Sequence, residues 1–196
     1  MLVALIFREI FLILIPREKG AGINMLLALD LSTKSTGYAV FDKDKLVESG
    51  CITASSTDTI KRIYKIIDGI KEICSKFDID EIIAEEVHPE NQYGVGNIRT
   101  HKVLMWLQGA VEFFVHDRYN NKLSIQYVYP SEWRKVCGIK TGKNQKRSDL
   151  KPADVQFVKD TFNLDVNDDE ADAICIGYFH IHKPQEKVIT WGSLKT

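Results

Sequence analysis

The stretch LLALDLSTKSTGYAVF, from Leu26 to Phe41, decides the fold. Its first apolar run is typical of a buried strand, yet it contains one carboxylate, Asp30. A polar turn and a second apolar run follow, and this pattern predicts two adjacent strands. Taken alone, Asp30 could simply cap the turn after its strand. A charge inside a buried strand is costly unless something compensates it, which raises the question of what Asp30 faces.

Composition places the chain among ordinary single-domain proteins. Its 196 residues suffice for one domain with a real core, and a net charge of −1 is not that of a generally basic nucleic-acid binder. The four cysteines are scattered without a CxxC pair, which argues against a zinc ribbon or a disulfide scaffold. They fit a reducing compartment, and we expect a cytoplasmic protein.

Residues 1–24, MLVALIFREIFLILIPREKGAGIN, differ in character from the rest of the chain. The apolar part is shorter than the roughly 20 residues that span a bilayer, and Arg8 and Glu9 interrupt it. It also lacks a clear secretory cleavage site. Lys19–Ala21 can be encoded by a purine-rich ribosome-binding sequence just upstream of the Met25 codon. We therefore hypothesise that residues 1–24 are a translated leader, the alternative being an extra strand or interface arm; no membrane association is expected.

The remaining chain predicts one α/β domain over residues 25–183, followed by a tail at 184–196. Predicted strands cover 25–31, 37–42, 46–53, 80–87 and 123–129. Predicted helices cover 58–77, 98–116, a short segment at SEWRKVCG, 152–162 and 167–181. A glycine-containing loop at 89–97 and a basic loop, IKTGKNQKRSD, connect them. Three antiparallel strands followed by alternating helices and strands predict a mixed sheet flanked by helices.

Carboxylates cluster at the predicted ends of three distant elements. They are Asp30, the pair Glu85 and Glu86, and the group Asp168, Asp169, Glu170 and Asp172. The first turn of the last helix favours acids because of the helix dipole, but this does not account for Asp172, which lies farther along in an apolar stretch. Carboxylates that converge repel unless cations lie between them, and oxygen ligands suit Mg²⁺ or Mn²⁺. Two such ions can hydrolyse a phosphodiester.

Four segments, in this order, resemble the RuvC-type Holliday-junction resolvases of the RNase H-like superfamily, including phage-type members. They are ALDLSTKSTGYAVF, IIAEEVHPENQ, VYPSEWRKVCGIKTGKNQK and DDEADAICIGYFH. The resemblance implies an RNase H-like mixed sheet, a homodimer, and a Mg²⁺-dependent endonuclease with two ions per active site. Its substrate would be four-way DNA junctions, and the resemblance leaves open whether other branched DNA is cut as well.

The resemblance also implies roles for individual residues of this sequence. The first-strand aspartate falls on Asp30, the strand-end glutamate on Glu85, and the acids of the last helix on Asp169 and Asp172. Glu86 and Asp168 remain alternatives by a slip of one residue.

Basic residues supply the candidate DNA contacts. Residues 134–151 hold seven positive charges against Asp149 alone, a pattern that suits phosphate neutralisation but also a solvated loop. A second candidate surface is HPENQYGVGNIR, in which Tyr93 or His88 could stack on an exposed base. The DNA-contact candidates are Lys34, Tyr93, Arg99, Lys140, Lys143, Lys146, Arg147 and Lys151.

Three other functions compete with junction resolution. The first is another RNase H-like nuclease that cuts RNA in a hybrid or a DNA fork, which would use the same acids. The second is ATP binding by a sugar-kinase or actin-like fold. The segment ALDLSTKSTGYAV resembles the phosphate turn of that fold, although the fold needs two such domains. The third is a non-catalytic junction-binding protein, against which the four candidate acids argue.

Overall fold

The structure, a computed structural model, describes residues 25–87, 95–140, 142 and 147–184, and for residues 95–97, 147 and 148 it describes the main chain alone. In chain order these ranges form β1 (Met25–Asp30), β2 (Ser35–Asp42), β3 (Lys45–Thr53), α1 (Thr59–Lys76), β4 (Glu81–Glu85), α2 (Val95–Arg118), β5 (Ile125–Val128), α3 (Pro130–Val136), α4 (Arg147–Phe162) and α5 (Asp168–His182). Residues 1–24 and nearly all of the predicted tail lie outside the described part of the chain.

The described strands form a five-stranded mixed sheet in the order β3-β2-β1-β4-β5. β1 is antiparallel to β2 and parallel to β4, and β4 is parallel to β5. All six residues of β1 are buried, because the strand has a neighbour on each edge and helices cover both faces. This position explains its unbroken apolar pattern. The predicted mixed sheet flanked by helices is confirmed.

Side-chain alternation gives each face of the sheet its own core. One face carries Leu27, Leu29 and Ile82 and packs against α1 and α2. The other face carries Ala28 and Ile83 and packs against α3, α4 and α5. The fold therefore has three layers, with the sheet in the middle.

Helix α5 lies tightly on the second face. A Cβ on Gly177 would come 2.2 Å from the ring of Phe41, so α5 meets β2 with no room for a side chain at that point. Asn167 caps the start of α5 by accepting a hydrogen bond from the Glu170 main-chain N–H at 3.0 Å. Both features fix the position of the acidic first turns of the helix.

Some predicted boundaries were wrong. The sequence predicts a helix start at Pro152, a residue type that favours the first helical turn. Instead α4 begins at Arg147, and Asp149 lies in its first turn, where an acid complements the helix dipole. The end of the predicted basic loop is therefore helical. In the same way, α2 begins at Val95, within the predicted glycine-containing loop.

Within residues 25–87, 95–140 and 147–184, none of the helices has both the length and the apolar character needed to cross a membrane.

Candidate active site

The carboxyl ends of β1 and β4 bring two acids to the same face of the sheet. Asp30 lies two residues after Ala28, and Glu85 lies two residues after Ile83, so both side chains share the face covered by α5. The parallel register ends at Leu29 and Ala84, and Asp30 and Glu85 are the next residues along each strand. Asp30 is only 4% exposed. By the same alternation, Glu86 belongs to the opposite face.

Helix α5 adds Asp172, which is fully buried. Burial first, and then the negative charges of Asp30, Asp154 and Glu85, together raise the pKa of Asp172 to about 9. Among the described residues, no N–H or hydroxyl group donates to either carboxylate oxygen of Asp172, and its hydrogen-bond contact is with the carboxyl group of Asp154, which requires that one of the two holds a proton. A buried carboxylate of this kind is costly unless it serves as a ligand or stays protonated.

The first turn of α5 has a cationic partner. The ammonium group of Lys151, on α4, contacts the carboxylate of Asp168 and lies 3.9 Å from a carboxylate oxygen of Asp169. Both acids are thus partly neutralised by one lysine. Asp168 and Asp169 lie four and three residues before Asp172, so helix spacing brings both near its face and leaves both alternatives open.

Buried side chains of α3 and α4 form hydrogen bonds with Glu85 and with one another. The indole Nε1 of Trp133 donates a hydrogen bond to Glu85 Oε2 at 3.2 Å. Arg134 donates to Asp154 from Nε and Nη2, the shortest contact being 2.9 Å. Arg134 is only 5% exposed, so counting it among the DNA-facing charges was wrong.

Sequence reasoning missed Asp154 altogether. Aspartate side chains on helices are mostly exposed, but Asp154 is fully buried against Arg134. One signal was present: Asp154 lies four residues before Val158, a spacing that puts it on the buried stripe of α4.

The acids suit a hard divalent cation by their chemistry, since carboxylate oxygens are the ligands of Mg²⁺ and Mn²⁺. The Asp172 oxygens, which no N–H or hydroxyl donor satisfies in the described residues, would be available as ligands for such an ion. Within the described residues, no three His, Cys, Asp or Glu side chains already stand close enough together to hold a metal ion. Like charges disfavour a closer approach of these acids in the absence of a cation.

The predicted DNA contacts are only partly described. Lys34, Arg99 and Lys140 are exposed, and Lys151 is partly buried beside the acids. Tyr93, Lys143 and Lys146 lie outside the described residues, and Arg147 is described by its main chain alone.

The turn after Asp30 is stabilised from within. The Thr36 hydroxyl donates to the Ser32 carbonyl oxygen at 2.6 Å and accepts from the Ser32 N–H at 3.1 Å. Thr36 is fully buried, so in this turn Lys34 is the better candidate for a phosphate contact.

Comparison with known proteins gives one family match and several relatives. A family model described as Lactococcus phage M3 protein matches residues 23–182. The crossover junction endodeoxyribonuclease RuvC of Shewanella sediminis is 27% identical over 173 residues, which cover 86% of this chain and 93% of the relative. The RuvC of Methylococcus capsulatus is 34% identical over 65 residues, and this alignment spans only 39% of the relative.

Solved structures share the fold. The RuvC of Thermus thermophilus in complex with a Holliday junction substrate matches 80% of this chain and 94% of its own, with a TM-score of 0.60 and 13% identity. The yeast mitochondrial Holliday junction resolvase Ydc2 covers 82% of this chain and 80% of its own, with a TM-score of 0.51 and 14% identity. The resemblance to RuvC-type resolvases and the RNase H-like fold that the sequence predicts are confirmed.

Proposed function

The chain belongs to the family described as Lactococcus phage M3 protein, and we propose that it is a divalent-metal-dependent endonuclease that resolves four-way DNA junctions. The curated relatives are named crossover junction endodeoxyribonucleases, and one similar structure holds a Holliday junction substrate. These names motivate the substrate class. The chemistry rests on this chain's own acids.

One observation carries the proposal: Asp30, Glu85 and Asp172 converge on one face of the sheet from three distant segments. The charges of Asp30 and Glu85 both act on Asp172, and within the described ranges no N–H or hydroxyl donor satisfies its oxygens, whose contact is with another carboxyl group, that of Asp154. A purely structural carboxylate would be expected to have partners. Together with Asp169, these residues are the proposed ligands.

Two Mg²⁺ ions, for which Mn²⁺ can substitute, would activate water and stabilise the leaving oxygen during phosphodiester hydrolysis. Asp30 supports this chemistry by its rigidity, because a central strand paired on both edges holds it. Asp172 contributes a desolvated carboxylate, whose interaction with a cation is strong because little water competes. Glu85 adds a further carboxylate to the same face, from the end of β4.

The positions of the basic side chains suggest where the DNA backbone would bind. Lys34 belongs to the turn directly after Asp30, and Lys140 follows α3, which packs behind Glu85. Both side chains are exposed and can reach phosphate. Lys143, Lys146 and Arg147 belong to the same basic segment. Tyr93 and Arg99 are proposed to contact the junction as well.

A homodimer would place two such sites on the two strands to be cut. Helix α2 carries a stripe of exposed apolar side chains at seven-residue spacing. Its members are Ile98, Met105, Trp106 and Phe113. Phe113 is 73% exposed, which is unusual for so large an apolar side chain unless a partner covers it. We therefore assign this stripe to the dimer interface.

The proposal is tested with end-labelled DNA in the presence of Mg²⁺. The substrates are a four-way junction, a three-way fork, a linear duplex and an RNA–DNA hybrid. We expect paired symmetric nicks in the four-way junction for the wild type and a loss of at least a thousandfold for Asp30→Asn. Asp44→Asn is the matched control, because Asp44 lies in the β2–β3 turn, at the opposite end of the sheet.

Each other outcome has a definite meaning. Equal cutting of forks would broaden the substrate class to branched DNA in general. Cutting of the hybrid alone would assign the protein to another nuclease activity of the same fold. Binding of the junction without any cleavage in Mg²⁺ or Mn²⁺ would contradict the endonuclease proposal.

A further inference from the structure

Three buried polar side chains, Trp133, Arg134 and Asp154, lie next to the acids, and phosphodiester hydrolysis itself does not require them. Trp133 and Asp154 are fully buried, and Arg134 is 5% exposed. Burying an ion pair and an indole N–H costs free energy, and apolar residues of similar volume often serve stability as well or better. The group therefore calls for an explanation beyond packing.

Trp133 is held on two sides. Its Nε1–H donates to Glu85 Oε2 at 3.2 Å, and the guanidinium carbon of Arg134 lies 4.2 Å from its ring centroid. A cation stacked on the indole face restricts rotation of the ring. The N–H therefore points in one direction, and the hydrogen bond orients the carboxylate plane of Glu85.

Arg134 is itself restrained by Asp154. Nε contacts both carboxylate oxygens at 3.2 and 3.3 Å, and Nη2 contacts Oδ2 at 2.9 Å. The charges of Asp172 and Glu85 also act on this guanidinium. A buried arginine so close to those acids would compete with a metal ion for them, were it not paired elsewhere.

We propose that Trp133, Arg134 and Asp154 are positioning residues of the acidic centre. Trp133 fixes the orientation of Glu85, and Asp154 holds Arg134 away from the place where a divalent cation would bind. The inference rests on the proposed metal-dependent function, whose ligands these residues would support. Groups that orient metal ligands in this way commonly change metal affinity by about 10- to 100-fold when removed.

The first test is Trp133→Phe, which keeps an aromatic ring beside Arg134 and removes the N–H. The readout is thermal stabilisation of the protein as Mg²⁺ is added, without DNA. We expect the half-saturating Mg²⁺ concentration to rise about tenfold. Tyr127→Phe is the control: it removes a buried hydroxyl next to the same strand, on the opposite face of the sheet, and should leave that concentration unchanged.

The second test uses the unmodified protein, so it does not depend on a variant folding. The chain has three tryptophans, Trp106, Trp133 and Trp191. In a ¹⁵N-labelled sample, the indole resonance that disappears in Trp133→Phe, or the slowest to exchange with solvent if that variant does not fold, reports on Trp133. We expect this resonance to shift on titration with Mg²⁺. A resonance that stays in place at saturating Mg²⁺ overturns the role assigned to Trp133.

The role of Asp154 is tested by Asp154→Asn, which keeps the side chain's size and releases Arg134. We expect at least a tenfold rise in the half-saturating Mg²⁺ concentration; an unchanged value overturns this part of the proposal. The two levels of the proposal remain distinguishable. If the wild type cleaves junctions and Trp133→Phe has the same Mg²⁺ dependence, the positioning role is wrong and the endonuclease stands. If the wild type binds Mg²⁺ but cuts no nucleic acid, the endonuclease proposal is wrong. A rise in the half-saturating Mg²⁺ concentration for Trp133→Phe would then still support the positioning role of Trp133.

Discussion

Gly37 of β2 and Asp169 of α5 are in direct contact: a Cβ built on Gly37 would lie 1.8 Å from the main-chain oxygen of Asp169. Gly37 is also the antiparallel partner of Asp30. The first turn of α5, which leads to Asp172, therefore rests on the residue beside Asp30. Because only a hydrogen atom fits there, this glycine sets how closely the acids of the helix approach those of the sheet.

We accordingly expect Gly37→Ala to displace the start of α5. Overpacking against main chain should cost about 1–3 kcal/mol of unfolding free energy. A shift of the acids by ~1 Å should lower cleavage by roughly a hundredfold. Urea unfolding and initial cleavage rates measure the two effects. Ser75→Ala is the control, because Ser75 is exposed on α1 and alanine favours the helix; equal behaviour of the two variants would contradict the contact.

The sheet and most of its acids could be predicted because both depend on local pattern. The apolar runs of β1 and β2 set the strands, and the position of Asp30 at a strand end followed directly. The choice between Glu85 and Glu86 needed the observed strand ends, because a one-residue slip moves a side chain to the other face. The pairing of Arg134 with Asp154 is a tertiary contact across 20 residues, which no local charge count reveals.

The metal-free protein should lose stability as the pH rises. The pKa of Asp172 is raised in the fold to about 9, whereas an unfolded aspartate has a pKa near 3.9. Between these values the native state holds a proton that the unfolded state has released, so the free energy of unfolding falls with increasing pH. Asp172→Asn removes this dependence and should stabilise the protein by about 2 kcal/mol or more at pH 8.

Urea unfolding in EDTA between pH 5 and 8 measures this effect. Asp68→Asn serves as control, because Asp68 is an exposed acid on α1 and should follow the wild type. Parallel curves for the wild type and Asp172→Asn would show that Asp172 ionises normally. Adding Mg²⁺ should reduce the difference between them, since the cation stabilises the charged form.

Removing the charge of Arg134 should be far more damaging than removing an exposed one. Arg134→Met leaves Asp154 buried and unpaired near Asp172, and we expect a loss of about 3–5 kcal/mol. Lys71→Met breaks the exposed pair with Asp68 and should cost less than about 0.5 kcal/mol. Chemical denaturation of both variants at pH 7 compares them. A small loss for Arg134→Met would mean that Asp154 accepts a proton or a new partner without cost.

The proposed dimer interface is tested by a charge on its most exposed apolar member. Phe113→Asp should turn the dimer into a monomer at micromolar concentration, because an aspartate cannot be desolvated between two apolar stripes. Sedimentation equilibrium measures the mass. Tyr64→Asp provides the matched change at a comparably exposed ring on α1, and we expect it to remain dimeric. A monomeric wild type would refute the dimer itself.

Lys151 should weaken metal binding through its contacts with Asp168 and Asp169. Partly exposed ion pairs contribute about 0.2–1 kcal/mol, so Lys151→Gln should lower the half-saturating Mg²⁺ concentration roughly two- to fivefold. Lys159→Gln, on the same helix, breaks a pair with Asp165 and should leave that concentration unchanged. If Lys151 moves to phosphate once DNA is bound, its loss should also reduce the salt dependence of junction binding by about one phosphate contact. An unchanged Mg²⁺ midpoint for Lys151→Gln would mean that Asp169 gains no negative potential when the lysine is removed, which would argue against Asp169 as a ligand.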